Sequence, residues 1–305
     1  MGRYILGRLL QAFAVLFAVS IGIFLLIYLS GDPVSTMVPL NARPSDVEAI
    51  RAYFGLDKPV HIQYILFVRN ALHGDLGHSF KYRQDSLKLV LHRLPATFTL
   101  AVTSVILAVA VALPLGIISA TRRGTVIDNL ATGMSLLGIS TPGFWLGILL
   151  ILLFAERLRW LPPSGRDSPS SLILPAVTMA AAQIGMITRL LRRCMLEALS
   201  QDYITTARAK GLKERSINYG HALRNALIPT VTVIGLNLGT LIGGSVIIET
   251  VFAWPGVGWL MNEAISARDL PLIRADVLVM AVVITFINLA VDVSYCYLDP
   301  RIRYQ

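Results

Sequence analysis

Charge is what this chain has least of. Only 15% of its 305 residues are charged, while 55% are hydrophobic; a soluble domain of this length carries about 25% charged residues. The deficit excludes an ordinary water-solvated globule and points to a chain solvated largely by lipid. Cysteine is nearly as scarce. Cys194 and Cys296 both fall at predicted cytoplasmic span ends, where a structural disulfide is not expected, and two residues make no metal framework. Catalytic signatures are missing too. There is no G-x-x-x-x-G-K-[ST] phosphate loop and no H-E-x-x-H, so nucleotide hydrolysis by this chain is not expected. The five histidines, His61, His73, His78, His92 and His221, are scattered. Ser140 lies among glycines in Gly138–Gly143, but in a kinked apolar run rather than the strand–turn–helix setting of a nucleophile elbow.

What is present is apolar length. Six runs approach the roughly 20 residues that cross a bilayer: Leu9–Ser30, Ala96–Ala120, Leu130–Phe154, Leu172–Leu191, Ile228–Ile248 and Val277–Leu298. In lipid a backbone must satisfy its own hydrogen bonds, so each is expected to be helical. The expected fold class is an all-α membrane protein with six transmembrane helices in one domain over residues 1–305. Arg3 and Arg8 precede the first run, which puts the N-terminus inside by the positive-inside rule; six crossings return the C-terminus to the same, cytoplasmic side. Arg122, Arg123, Arg189, Arg192, Arg193, Arg208, Lys210, Arg301 and Arg303 then also fall inside. Arg157, Arg159 and Arg166 fall outside, beside acidic neighbours. The net charge of +9 thus reads as membrane-edge charge, with lipid rather than nucleic acid as its partner. The first run is too long for a secretory signal and lacks a small-x-small cleavage pattern, so it reads as an uncleaved anchor.

An outer segment, residues 31–95, follows the first run. Ser45-Asp46-Val47-Glu48 reads as a capping box whose helix stops at Gly55. Pro59 starts a second helix that places Val60, Tyr64, Phe67, Val68, Ala71 and Leu72 on one face and ends at Gly74. The segment is either a packed cap or a receiver of delivered substrate. Pro114-Leu115-Gly116 and Thr141-Pro142-Gly143 predict kinks in the second and third spans. In the fifth, Gly235, Gly239 and Gly243 form a smooth strip, suited to close static packing or to a pathway helix that slides. With Asn237 and Glu249, Gly239 and Gly243 are the candidate pathway and gate residues, since polar groups at membrane depth tend to face an aqueous path. Glu249, near the outer end, would equally be wet.

The most informative stretch is DYITTARAKGLKERSINYGHALRNALIP, Asp202–Pro229, inside a loop of residues 200–226. A turn between spans needs only a handful of residues; this one holds a helix, a glycine turn and a second helix. Asp202 is expected to cap a helix over Tyr203–Lys210, Gly211 to supply the left-handed turn, and a second helix to run from Glu214 to Asn225. Ala207 and Gly211 are small and one turn apart, Tyr203 and Leu212 offer apolar anchors, and basic residues form a rim. Such a helix fits another protein's groove; the alternative is a solvated loop clinging to anionic lipid.

The stretch resembles the cytoplasmic coupling loop of binding-protein-dependent ABC importer permeases, whose pattern is E-A-A-x3-G-x9-I-x-L-P. With that glycine placed on Gly211, Ala207, Gly211 and Leu223 match, whereas Thr205, Thr206, His221 and Arg224 depart from the pattern. YITTARAKG and HALRNALIP are similar to the peptide/nickel-type branch of that family. So, in order along the chain, are Gly31-Asp32-Pro33, Gly55-Leu56-Asp57-Lys58-Pro59, Gly74-Asp75-Leu76-Gly77, Glu249-Thr250-Val251-Phe252-Ala253-Trp254-Pro255-Gly256 and Asp299-Pro300-Arg301-Ile302-Arg303. The resemblance implies a type I ABC importer permease fold in a bacterial or archaeal cytoplasmic membrane. It implies assembly with a second homologous permease, two ATP-binding subunits and an external solute-binding protein, and cargo such as di- or oligopeptides, nickel, glutathione or opines. ATP and Mg would reside on the partner subunits, with no cofactor in this chain. Tyr203, Thr206, Ala207, Ala209, Lys210, Gly211, Glu214, His221 and Arg224 are the residues it marks for docking to the ATP-binding subunits. A stand-alone channel or secondary transporter would instead call for an ionisable pair or ion site at mid-membrane; the sequence offers few mid-membrane charges, which counts against it.

Overall fold

The computed structural model describes residues 2–29 and 57–298. The capping box at Ser45–Glu48, the stop at Gly55, Gly31-Asp32-Pro33 and the Asp299–Arg303 motif lie outside them. The described residues are helical nearly throughout: α1 (Gly2–Leu29), α2 (Val60–Leu72), α3 (Ser86–Thr121), α4 (Val126–Ser140), α5 (Gly143–Leu150), α6 (Ile173–Leu199), α7 (Asp202–Ala209), α8 (Leu223–Val251), α9 (Val257–Ser266) and α10 (Leu270–Leu298). Among the described residues, five helices are long and apolar enough to cross a membrane, or six spans if α4 and α5 count as one. That pair is bent by 103°, far more than a kink. Pro142 has no N–H to continue α4, and Thr141 before it is extended, with φ −82° and ψ 121°, as a residue preceding proline prefers. Beyond α5 the helix widens into a π turn over Ile151–Arg157.

The helices overrun the apolar runs that reveal them. α3 begins at Ser86, ten residues before Ala96, and passes Pro95 and Pro114 without interruption. Its first turns carry Lys88, His92 and Arg93, so hydropathy places the start too late. Asp85 Oδ1 accepts the Lys88 N–H at 3.2 Å, an N-cap that fixes the true start. α6 likewise runs eight residues past Leu191, because a polar helix end costs nothing once it leaves the lipid. Large side chains stay exposed along the spans, among them Phe13 at 70% and Leu137 at 69%, the surface of a protein whose solvent is hydrocarbon.

The chain divides into two compact units, residues 96–255 with 290–298, and residues 2–29 and 57–95 with 256–289. The first is organised on α6, which packs against α4, α5 and α8. Its most apolar window is 56% buried, against 17–33% in the other long spans, so α6 is the central helix. Small residues allow this: a Cβ on Gly138 would sit 2.7 Å from the Ala181 carbonyl oxygen, and one on Gly185 would collide with the Ser135 carbonyl. α8 ends in a turn where Phe252 and Trp254 are buried and Trp254 Nε1–H donates to the Ala96 carbonyl at 2.9 Å.

In the second unit α2 lies on α1. Phe67 packs with Ile23, Phe24 and Ile27, and the Tyr64 and Ser20 hydroxyls are 2.8 Å apart. The expected α2 face is thus half used: Leu72 stays 82% exposed. α2 stops where anticipated, at a left-handed Gly74 with φ +80°. α9 buries Val257, Leu260 and Ala264 against Val90, Leu272 and Ala275. Asp269, fully buried, accepts from Ser79 Oγ at 2.5 Å, Lys81 N at 3.0 Å and Leu272 N at 3.3 Å, and so pins the 79–81 loop to the start of α10.

Candidate functional site

The insert between α6 and α8 folds onto its own small core. Ile204 and Ala207 of α7 are buried with Ile117 and Ala120 of α3, Leu191, Met195 and Ala198 of α6, and Ile217, Ala222 and Ala226 beyond the turn. Ile204 and Ala207, three residues apart, define the inward face of α7. The opposite face is left open: Tyr203, Thr206, Ala209, Lys210 and Gly211 are exposed, as are Glu214, His221 and Arg224. Eight of the nine residues marked for docking thus lie on the surface, and the ninth, Ala207, faces the chain's own core.

The turn after α7 is a Schellman motif. Leu212 N–H donates to the Ala207 carbonyl at 3.2 Å and Gly211 N–H to the Arg208 carbonyl at 2.9 Å. Gly211 has φ +77°, the left-handed position that glycine fills without strain. No atom lies within 4 Å of where its Cβ would be, so its side faces open space. Arg208 closes over the turn as a fork, Nε to Glu214 Oε1 at 2.7 Å and a terminal nitrogen to Oε2 at 3.3 Å. The Glu214 carboxylate holds the Arg208 guanidinium above its ordinary pKa. Asn225 Nδ2 donates to the Tyr203 hydroxyl at 2.8 Å and ties the start of α7 to the start of α8.

Two expectations about this insert are corrected. Asp202 does not cap α7; it is its first residue, Gln201 is the extended residue before it, and no side chain caps the end. The second element is no separate helix ending at Asn225. A single α-turn, Glu214–Ser216, passes into a π turn, Ile217–Ala222, and then directly into α8, with Pro229 inside that helix. Proline is tolerated inside a membrane helix because neighbouring groups re-satisfy the freed carbonyl.

The candidate pathway residues on α8 do not form one cluster. Asn237 is half-buried and bonds its own helix at the Val233 carbonyl, 2.9 Å, while reaching Met186 Sδ at 3.5 Å. Gly239 is buried and Gly243 exposed. Glu249 is not wet but fully buried, and accepts from Thr97 Oγ1 at 2.7 Å and Ser245 Oγ at 3.0 Å. A cavity of about 240 Å³ between α5, α6 and α8 is lined instead by Phe144, Thr178, Gln183, Thr240, Gly244 and Ile248, among others. Gln183 was open to discovery in the sequence as a lone amide in an apolar run; Phe144 was not.

Comparison with known proteins agrees along the whole chain. Residues 112–304 match the family described as binding-protein-dependent transport system inner membrane component, and residues 1–101 match its N-terminal region. A glutathione transport system permease protein of Escherichia coli is 40% identical over 304 residues, covering 99% of each chain. A putative peptide transport system permease protein of Brucella abortus is 42% identical over 313 residues, covering 100% of each. An inward-facing structure of the MetNI methionine ABC transporter has a similar fold, with TM-score 0.56 at 20% identity over 69% of this chain and 96% of that one. An amino acid ABC transporter structure gives TM-score 0.51 at 14% identity, over 67% and 92%. The chain therefore belongs to the family of binding-protein-dependent transport system inner membrane components, and is a multi-pass permease subunit of an ABC importer rather than an enzyme.

Proposed function

We propose that α7 and the Gly211 turn are the docking element for ATP-binding subunits, and that the chain is the transmembrane pathway subunit of an importer for peptides, including small ones such as glutathione. One observation carries the docking reading: an exposed, partly basic helix face set on a buried apolar core that includes the ends of α3 and α6. A loop that merely clings to lipid has no need of that anchor. Nucleotide-driven closure of the partner pair carries α7 with it and moves those span ends. ATP drives this only through its different affinity for the inward- and outward-facing states. ATP and Mg sit on the partner subunits, and this chain brings no cofactor.

The same reading puts both termini and the insert on the cytoplasmic side of a bacterial or archaeal inner membrane, with a solute-binding protein delivering cargo from outside. In this reading the open cavity of about 240 Å³ beside α8 belongs to a pathway that a second, homologous permease subunit completes. The peptide cargo rests on the glutathione and peptide transport named for relatives at 40–42% identity. The test is purification of the tagged chain from its native membrane. ATP-binding subunits should co-elute, and Gly211→Trp should abolish ATP-driven peptide uptake while leaving membrane insertion intact. Normal uptake by that variant would refute the docking reading.

A further inference from the structure

We propose that Asp128 and Arg192 form a positioning latch that makes α4, α6 and the end of α3 follow the docking element as one body. This rests on the docking function proposed for α7. Asp128, in the first turn of α4, is buried to 4% side-chain exposure. Its carboxylate has a full set of donors. Arg192 Nε reaches Oδ1 at 2.7 Å and a second guanidinium nitrogen reaches Oδ2 at 2.8 Å. Ser119 Oγ donates to Oδ1 at 2.5 Å and Gly124 N–H to Oδ2 at 2.9 Å. The donors come from α3, from the α3–α4 turn and from α6, so one carboxylate ties three segments together at a single point. The planar fork of arginine fixes direction as well as distance.

The position of the latch gives it meaning. Leu191, next to Arg192, is fully buried in the core that seats α7, together with Met195 and Ala198 one and two turns on. A displacement of α7 therefore enters α6 beside the latch. From there two rigid contacts receive it. Leu191 meets α3 so closely that a Cβ on Gly116 would lie 3.0 Å from its side chain, and Arg192 grips α4 through Asp128. Farther along, Gly138 and Gly185 hold α4 and α6 backbone to backbone, which resists sliding between them. An ion pair of this kind, with Asp128 buried and Arg192 partly exposed, adds little net stability over apolar packing but fixes one arrangement among alternatives. What the pair supplies here is registry: the bent third span cannot lag behind α6 when the docking element moves.

The test uses the intact assembly, purified with its ATP-binding subunits and reconstituted in liposomes, with substrate taken up and ATP hydrolysed measured together. Asp128→Asn and Arg192→Gln should each leave the assembly intact and hydrolysing ATP, but lower the substrate moved per ATP by roughly 5–100-fold. The double variant should be no worse than either single one, because the residues act as a unit. Arg192→Lys, which keeps the charge but loses the fork, should fall between; it decides the matter if Asp128→Asn fails to accumulate. An unchanged ratio in these variants overturns the latch and leaves the docking function standing, as does a double variant whose loss is the product of the two. Failure of ATP-binding subunits to co-purify with the native chain overturns the docking function itself, and the latch with it.

Discussion

At the residue scale one left-handed turn recurs with different residues, at Gly74, Gly211, Ala253 and Arg268 among the described residues. After α7, Gly211 occupies the left-handed position at φ +77°; after α8, Ala253 occupies the equivalent one at φ +44°. There Trp254 N–H donates to the Glu249 carbonyl at 2.8 Å and Ala253 N–H to the Thr250 carbonyl at 3.3 Å, the same pair of bonds. A Cβ in this conformation costs about 1–2 kcal/mol. Opposite substitutions should therefore have opposite signs. Gly211→Ala should destabilise the insert by about 1 kcal/mol, read by hydrogen exchange at Ala207–Leu212. Ala253→Gly should stabilise the fold by roughly 0.5 kcal/mol once the greater freedom of the unfolded glycine is subtracted, read as a higher thermal midpoint in detergent. Gly211→Asn, which tolerates the left-handed region, should cost less than alanine. Because the space beside Gly211 is open within this chain, an uptake defect in Gly211→Asn beyond its small stability loss reports a partner's surface.

At the scale of elements, the spans are held by close backbone approach and the short segments by buried polar anchors. Gly138→Ala and Gly185→Ala each place a methyl against a main-chain carbonyl of the facing helix. Backbone yields less readily than a side chain, so each should cost about 1–3 kcal/mol and lower the detergent melting point, with α4 rather than α3 loosening against α6. In the other unit, Lys81 Nζ donates to Glu263 Oε1 at 2.7 Å, and the Tyr82 hydroxyl donates to the second carboxylate oxygen. Burial pushes the Glu263 carboxyl upward, but these two bonds outweigh it and the net is a carboxyl below its ordinary value of 4.5. The folded form therefore binds its proton less readily than the unfolded one. The contribution of the contact is complete above pH 4.5 and is lost as pH falls through the lower folded value. Hydrogen exchange in residues 79–83 should accelerate over that acid window, and Glu263→Gln should flatten the dependence; an equal acid response in the variant would show that other groups carry it.

For the whole molecule, what could be read ahead of the structure was what depends on local chemistry. Apolar runs announce spans because lipid tolerates little else, and Gly74 and Gly211 announce turns because few residues accept their backbone. What escaped reading depends on neighbours distant in sequence. Nothing near Ala207 shows that it faces inward, since that is set by Leu191, Met195 and Ile217. Glu249 looked wet because its partner, Thr97, lies 152 residues away. Thr141-Pro142 shows a break but not its angle. The division into two units, with α3 and α10 contributing to both, has no signature in composition. Sidedness is the whole-molecule property on which the proposed mechanism turns, and it is open to a direct experiment. Leu212, 40% exposed beside the Gly211 turn, and Arg83, exposed in the loop before α3, are separated by one passage of α3, the bent pair and α6. On the proposed topology, in which the bent pair crosses, the number of crossings between them is odd and they are expected on opposite faces of the membrane. In a background with Cys194 and Cys296 replaced by serine, Leu212→Cys should react with a membrane-impermeant maleimide only in inside-out vesicles, and Arg83→Cys only in right-side-out ones. Saturating the vesicles with purified ATP-binding subunits should then protect Leu212→Cys and leave Arg83→Cys untouched. Labelling of both from one face would mean that α4 and α5 turn back without crossing, and a Leu212→Cys that reacts only from outside would remove α7 from the reach of any ATP-binding partner.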